Sequence, residues 1–154
     1  MITTIEEIAN IAQNLHDSNV KIVFTNGCFD LIHRGHVEYL SAAKKLGDVL
    51  IIGLNSDDSV RRLKGIDRPI NYEQDRAIVL DNLMAVDYVS IFDEDTPYEL
   101  IRIVQPDVLV KGGDWAIEDI VGSDIVLERG GEVRSLKFIE GKSTTDIIEK
   151  IRNQ

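Results

Sequence analysis

The stretch KIVFTNGCFDLIHRGH, Lys21 to His36, decides how the rest of the chain is read. It opens on a β-rich run over 21–25 that Asn26-Gly27 stops. It closes on two histidines, His33 and His36, three residues apart with Gly35 between them. Val37, Leu40, Ala43 and Leu46 follow at helical spacing and predict a helix over 35–46. A strand that feeds a polar turn and then a helix is the first half of a βαβ unit. The first turn of such a helix offers free backbone N–H groups and the positive end of the helix dipole, which together attract phosphate. Two imidazoles placed there can donate to one phosphate. Gly35 lets a ligand approach the backbone, and Gly27 allows the sharp exit from the strand. Two plainer readings are an ordinary capping pair and a zinc pair. The zinc pair needs two more ligands, and only Cys28 and the distant His16 are on offer. His16 itself is expected on the solvated end of the preceding helix.

Working outward, the same alternation repeats. Upstream, Thr4 and Glu7 form a capping box ahead of Ile8, Ile11, Ala12 and Leu15, which predicts a helix over 5–16. Downstream, VLIIGL over 49–54 is nearly continuous apolar sequence, as in a strand buried on both faces of a parallel sheet. A helix over 72–84, opened by Asn71 with Gln74, precedes a strand over 88–91. A helix over 97–104 has proline in its first turn, and strands over 108–110 and 132–137 flank a helix over 123–129 that Gly130-Gly131 ends. A last helix spans 144–152. Strands alternating with helices of this length indicate an α/β fold, Rossmann-like, with a parallel sheet and helices on both faces. One domain over 1–154 is expected, with a leading helix in 1–20 and a core over 21–154. Ligands in such sheets bind beyond the carboxyl ends of the strands, so the loops after Thr25, Leu54, Ile91, Val110 and Lys137 are where chemistry belongs.

Composition narrows the partners. Of 154 residues, 44% are hydrophobic and 29% charged, and 27 acids against 17 bases give a net charge of −10. Such a balance argues against gripping nucleic acid or an anionic membrane over a broad face, and leaves room for a small anion in a local basic pocket. The lone Cys28 forms no intramolecular disulfide. No apolar run reaches the roughly 18 residues needed to span a bilayer, and MITTIEEIAN carries no secretory pattern. A cytoplasmic protein is the expectation.

Three further segments carry polar chemistry. Four cations lie between Arg61 and Arg68 (RRLKGIDR) and read either as a solvated loop or as a flexible clamp on phosphates, which Arg76 could join. Lys111-Gly112-Gly113-Asp114 follows a strand directly. Its glycines would let backbone groups meet a base or ribose, and Asp114 could accept from hydroxyls; a tight βα turn is the plainer alternative. Trp115 is expected half-buried beside the pocket, and Cys28 in packing. Gly141-Lys142-Ser143 suggests a P-loop, but that motif requires glycine where Leu136 stands. Ser143, Thr144 and Thr145 still make sense as an N-cap and a second phosphate cradle.

FTNGCFDLIHRGH resembles the first signature of the cytidylyltransferase-like nucleotidyltransferases, whose H-x-G-H histidines bind nucleoside triphosphate. The resemblance covers nearly the whole chain. Residues 54–58 are similar to the polar end of the family's second strand, 61–69 to its basic mobile loop, and 141–145 to its late Ser/Thr signature. Within the family, VKGGDW (110–115), 120–122, 130–133 and EGKSTTDII (140–148) are most similar to the members that act on D-glycero-β-D-manno-heptose 1-phosphate. The resemblance implies transfer of AMP from ATP to that sugar phosphate, giving ADP-heptose and pyrophosphate for lipopolysaccharide or other surface glycans. It implies catalytic roles for His33, His36 and Lys64. It places the nucleotide against Thr25, Asn26, Gly27, Cys28, Phe29 and Asp30, with Gly35, Asn55 and Arg76. Lys111, Gly112, Gly113, Asp114, Gly141, Ser143, Thr144 and Thr145 complete the implied contacts. It also implies Mg2+ without assigned ligands, with Asp30 positioning either the metal or the loop, a homodimer, and a separate heptose 7-phosphate kinase supplying the acceptor.

The alternatives within reach are a glycerol 3-phosphate cytidylyltransferase and a nucleotide-binding module without turnover. The first usually has methionine-glycine-aspartate-aspartate where this chain has Lys111 to Asp114, an arginine at Phe138 and an isoleucine at Lys142. The second need not retain His33, His36, Lys64, Ser143 and Thr144 together. An aminoacyl-tRNA synthetase, which shares H-x-G-H, is excluded by length.

Overall fold

The computed structural model describes residues 1–137 and 143–153. In chain order the elements are β1 (Ile2–Thr3), α1 (Ile5–Asp17), β2 (Ile22–Gly27), α2 (Arg34–Lys44), β3 (Val49–Asn55), α3 (Asp57–Lys64) and α4 (Glu73–Asp81). Then follow β4 (Tyr88–Phe92), α5 (Tyr98–Val104), β5 (Val108–Gly112), α6 (Ser123–Glu128), β6 (Glu132–Leu136) and α7 (Thr144–Arg152), with a single 3-10 turn at Ile117–Asp119. The six strands make one sheet in the order β1-β4-β3-β2-β5-β6, and every pairing is parallel.

Helices cover both faces, and the two cores show which. Tyr39, Leu40 and Ala43 of α2 and Ala77 and Leu80 of α4 pack on Val23, Leu50, Ile52, Val108 and Val110. On the opposite face, Ile8 and Ala12 of α1, Leu100, Ile101 and Val104 of α5, and Val126 of α6 pack on Ile22, Phe24, Ile51 and Leu109. Alternate residues of each strand therefore enter opposite cores. This is why VLIIGL carries no polar residue: both of its faces are buried. Gly53 is a point of close approach within the sheet, since a Cβ there would lie 2.8 Å from the Phe24 ring. No helix among the described residues is long and apolar enough to cross a membrane.

The leading helix has its capping box: the Glu7 amide donates to Thr4 Oγ1 (3.2 Å), and the Thr4 amide donates to the Glu7 carboxylate (2.7 Å). Three local readings change. Residues 57–64 are helical, so Arg61, Arg62 and Lys64 stand on α3, capped by the Ser56 hydroxyl accepting from Ser59; only Gly65 onward is loop. The α4 helix begins at Glu73, and Asn71 does not cap it; its amide side chain donates to the Asp30 carbonyl instead. His16 is half-buried, with Nε2 3.1 Å from the Val104 carbonyl, so it ties α1 to the end of α5. The two-residue β1 was not expected, being too short for any periodicity to show.

Strands β2, β3 and β4 follow one another toward one edge, whereas β5 and β6 add on the other side of β2. The direction of winding reverses between β2 and β5. There the loops after the two strands diverge and leave a crevice at their carboxyl ends.

Candidate active site

That crevice is a cavity of about 540 Å3, within the usual range for a small-molecule site. The loop after β2 supplies its floor. Phe29 adopts φ 44° and lays its ring across the turn. A Cβ on Gly27 would lie 3.0 Å from that ring, so any other residue there would press the ring aside. The Phe29 ring meets His36 edge-on at 5.3 Å, and His36 stacks on His33 at 3.9 Å. His33 is the N-cap residue of α2 but makes no side-chain cap, so the pair is not there to close the helix.

Burial, then the positive charges of His33 and Lys64, push the His36 pKa down to about 4. At neutral pH its imidazole is uncharged. Its Nδ1 is buried without a hydrogen-bond partner among the described residues. A neutral ring stacked at a helix start, with cations nearby, is prepared for an anion that brings its own charge.

Two buried charges shape the loops around the histidines. The Asp30 carboxylate, 1% exposed, accepts from Arg68 Nε (2.8 Å) and from the amides of Ile70 and Asn71 (2.8 and 2.9 Å). Burial would raise its pKa, but the two amides and Arg68 prevail and hold it below the usual carboxylate range. These contacts tie the 68–71 loop to the turn after β2. Arg76 is fully buried and donates to the carbonyls of Asn71 (3.0 Å), Cys28 (2.6 Å) and Asn55 (2.9 Å) and to the Asp57 carboxylate (2.8 Å). Four of its five N–H donors are engaged by protein, so Arg76 fixes the strand ends and is turned into the protein, where the sequence suggested a phosphate clamp.

Of the residues singled out from sequence, Asn26, Gly27, Cys28, Phe29, Asp30 and His36 line the cavity, as do Asn55, Lys64, Lys111, Gly112 and Thr144. His33 stands behind His36. Arg68 and Trp115 line the cavity too, and the other described ones lie off its wall. Thr25 is buried against the Tyr39 hydroxyl at 2.6 Å, and Gly35 is buried within α2. Gly113 turns the chain at φ 121°, which leaves Asp114 exposed and off the wall while Trp115 lines it. Ser143 caps α7 through the Asp146 amide, Thr145 is exposed on α7, and Thr144 donates to the Leu31 carbonyl at 3.2 Å, tying α7 to the floor. Gly141, with Phe138, Glu140 and Lys142, lies outside the described residues.

Beside Ile120 and Val121 of the 120–122 stretch, the cavity includes residues that no motif announced: Thr96 and Pro97 after β4, and Asp119 at the end of the 3-10 turn. The β4 loop could have been found from the strand-end rule alone. The 3-10 turn left no periodic signal. Asp95, beside Thr96, pairs with Arg62 at 2.7 Å and so ties α3 to the β4 loop. Among the described residues no group of three or more His, Cys, Asp or Glu side chains is placed to hold a metal ion.

Comparison with known proteins agrees with this geometry. The chain is 61% identical over 152 residues to the bifunctional protein HldE of Nitratiruptor sp., matching 99% of this chain and 32% of that protein. It is 56% identical over 151 residues to the bifunctional protein HldE of Aliarcobacter butzleri, matching 98% and 31%. The chain therefore spans about a third of the length of these relatives. Among solved structures, the lipopolysaccharide core biosynthesis protein of Thermoplasma volcanium is 27% identical, with TM-score 0.62 over 80% of this chain and 99% of that one. The pantoate-beta-alanine ligase of Francisella tularensis, 16% identical with TM-score 0.59 over 100% of this chain and 78% of that one, shares the fold. The sequence pattern of the cytidylyltransferase-like family matches residues 24–150, from β2 to within α7, and the chain belongs to the cytidylyltransferase-like nucleotidyltransferases.

Proposed function

We propose that the protein transfers AMP from ATP to D-glycero-β-D-manno-heptose 1-phosphate, forming ADP-heptose and releasing pyrophosphate. The observation that carries the nucleotidyl transfer is the stacked His33–His36 pair at the start of α2, with His36 held uncharged beside Lys64 on the cavity wall. The sugar is supported by the relatives and by the similarity of residues 110–115 to the heptose-specific members.

In this reading a phosphate oxygen of the sugar phosphate attacks the α-phosphorus of ATP in line. The new P–O bond forms as the bond from the α-phosphorus to the bridging oxygen breaks, and pyrophosphate departs with that electron pair. The attacking group is already an anion near neutral pH, since a phosphate monoester loses its second proton with pKa about 6. No side chain has to act as base or nucleophile. Catalysis rests on positioning and on charge neutralisation: the histidines and the α2 amides hold the transferred phosphoryl group, and Lys64 holds the departing pyrophosphate. With Asp30 committed to Arg68 and two amides, the described residues make no dedicated magnesium cage. Magnesium, brought by the triphosphate, would help neutralise the departing pyrophosphate beside Lys64.

The same reading includes a cytoplasmic homodimer that receives its acceptor from a separate sugar kinase. The deciding experiment incubates the protein and magnesium with ATP or CTP, and with heptose 1-phosphate or glycerol 3-phosphate, and follows pyrophosphate. Release with ATP and heptose 1-phosphate alone is expected. Release with CTP and glycerol 3-phosphate would overturn both the base and the sugar. ATP binding without release in any mixture would point to a module that binds and does not turn over.

A further inference from the structure

A buried hydroxyl stands at the apex of the crevice. Strands β2 and β5 are in register for two residues, Val23 on Val108 and Phe24 on Leu109. The ladder on the other side of β2 runs on, as far as Gly27 on Leu54. Thr25 and Val110 are therefore the first positions past the end of the β2–β5 ladder, where the two strands part. Alternation sends the Thr25 side chain to the same face as Val23, under α2. Tyr39 reaches this point from α2. Its hydroxyl lies 2.6 Å from Thr25 Oγ1, where either group can donate, and it donates to the Val110 carbonyl over a longer 3.4 Å. One side chain thus joins the histidine helix to both strands at the level where the cavity begins, and Tyr39 itself lines that cavity.

Packing does not call for this hydroxyl. The next inward residues of α2 are Leu40 and Ala43, and the core beneath them includes Val23, Leu50, Ile52 and Val108. Phenylalanine would fill the same space without bringing an oxygen into it. A buried hydroxyl is costly unless partners are placed to meet it, and once satisfied it specifies one arrangement of the elements it joins. Thr25 is fully buried as well. Burial pushes the Tyr39 pKa up to about 12, with the Thr25 hydrogen bond opposing it, so the phenol keeps its proton at neutral pH.

His36 lies three residues before Tyr39, on the same side of α2. The height at which Tyr39 is pinned over β2 and β5 therefore sets the height of the imidazole above the cavity floor. The Phe29 ring meets that imidazole from the turn after β2. We infer that Tyr39 is a positioning residue for nucleotidyl transfer: through its hydroxyl bridge to Thr25 and Val110 it fixes the His33–His36 pair against the transferred phosphoryl group. The inference rests on the nucleotidyl-transfer reading and adds to it a residue that acts through His36.

Tyr39→Phe, Thr25→Val and Thr25→Ser separate this role from packing. With ATP and saturating heptose 1-phosphate, kcat for pyrophosphate release should fall about 10–100-fold in Tyr39→Phe, the scale of a positioned group displaced by up to about 1 Å. KM for ATP should stay within about threefold, below the effect of one hydrogen bond. Thr25→Val should also lower kcat, Thr25→Ser should recover most of that loss, and the double variant should lose no more than Tyr39→Phe alone, because both changes break one bridge. The His36 ring signals, followed by NMR without ligand, should move in Tyr39→Phe and Thr25→Val and stay near wild type in Thr25→Ser. A Tyr39→Phe enzyme with wild-type kcat would overturn the inference. So would losses that multiply in the double variant, or a kcat that falls while the His36 signals stay in place. If wild type releases no pyrophosphate, the nucleotidyl-transfer reading fails, and the His36 signals still decide whether Tyr39 positions the ring.

Discussion

Replacing Arg76 with methionine removes a guanidinium while nearly preserving the volume of its stem. The side chain is 0% exposed, and its partner Asp57 is 15% exposed. Losing it breaks one buried ion pair and withdraws the donor from the carbonyls of Asn71, Cys28 and Asn55. Breaking a buried pair from one side costs about 3–5 kcal/mol. Each carbonyl deprived of its donor adds about 1–3 kcal/mol where water cannot replace it. Cys28 and Asn55 line the cavity, so solvent reaches that side and recovers part of the second loss. A net destabilisation of about 4 kcal/mol follows, a large share of the 5–15 kcal/mol typical of a domain. For a chain of this size that lowers Tm by about 8–16 °C. Urea unfolding followed by circular dichroism gives the value directly from the midpoint at constant m. Arg76→Lys keeps the charge but not the fork, and should fall between wild type and Arg76→Met. The reasoning is refuted if Arg76→Met loses less than about 1 kcal/mol, or if Arg76→Lys matches wild type.

Three other outcomes follow from the same physics. His36 titrates near 4 in the folded protein and near its ordinary value when unfolded; the unfolded chain therefore takes up the proton first, and stability falls as pH drops from about 6.5 toward 4. His36→Gln should flatten that slope in urea midpoints measured across this window, and a slope unchanged by the substitution would assign it elsewhere. NMR of the His36 ring should show its pKa rising when ATP binds, because the triphosphate brings negative charge to the ring. Asp30→Asn replaces an acceptor of two amides and Arg68 with a group that carries its own donors, costing about 3 kcal/mol and opening the loop to trypsin at the Lys64–Gly65 bond; resistance equal to wild type would show that other contacts hold this loop. Thr4→Ala removes one cap, lowering stability by about 1 kcal/mol with pyrophosphate release unchanged, and any loss of activity would mean that α1 reaches the site.

The fold was legible because its signals are local. VLIIGL reads as a doubly buried strand without knowledge of its neighbours, and α7 spans the expected 144–152, opened by its Ser143 cap. The α3 helix was missed because DDSVRRLK holds only Val60 and Leu63 as apolar anchors. Five charges in the segment outweighed the start signal of Ser56, Asp57 and Asp58. For the site, the phosphate wall was legible because helix starts and histidine spacing are written in sequence order. The contributions of Thr96 and Asp119 were not, since they reach the cavity only through the crossing of β4, β5 and a 3-10 turn. Nor could Arg76 be placed: whether a guanidinium faces a ligand or the protein depends on carbonyls contributed by three separate loops.

The winding of the sheet has a consequence for how the chain becomes active during synthesis. Strand β2 finds its first neighbour, β3, soon after it emerges, with Ile22 registering on Val49. Its second neighbour, β5, comes far later: the Ile22 amide donates to the Asp107 carboxylate across 85 residues of chain, and Val23 registers on Val108. At translation speeds of about 5–20 residues per second, the central strand keeps one edge open for roughly 4–17 s. Phe24 and Ile22 lack their Leu109 cover for all of that interval. The histidine wall can form before β5 exists, but the crevice cannot, because it lies between those two strands. A ribosome-bound fragment ending before β5 would thus carry the complete H-x-G-H segment yet present no enclosed site, and nucleotide capture would begin only once the second half of the sheet has docked.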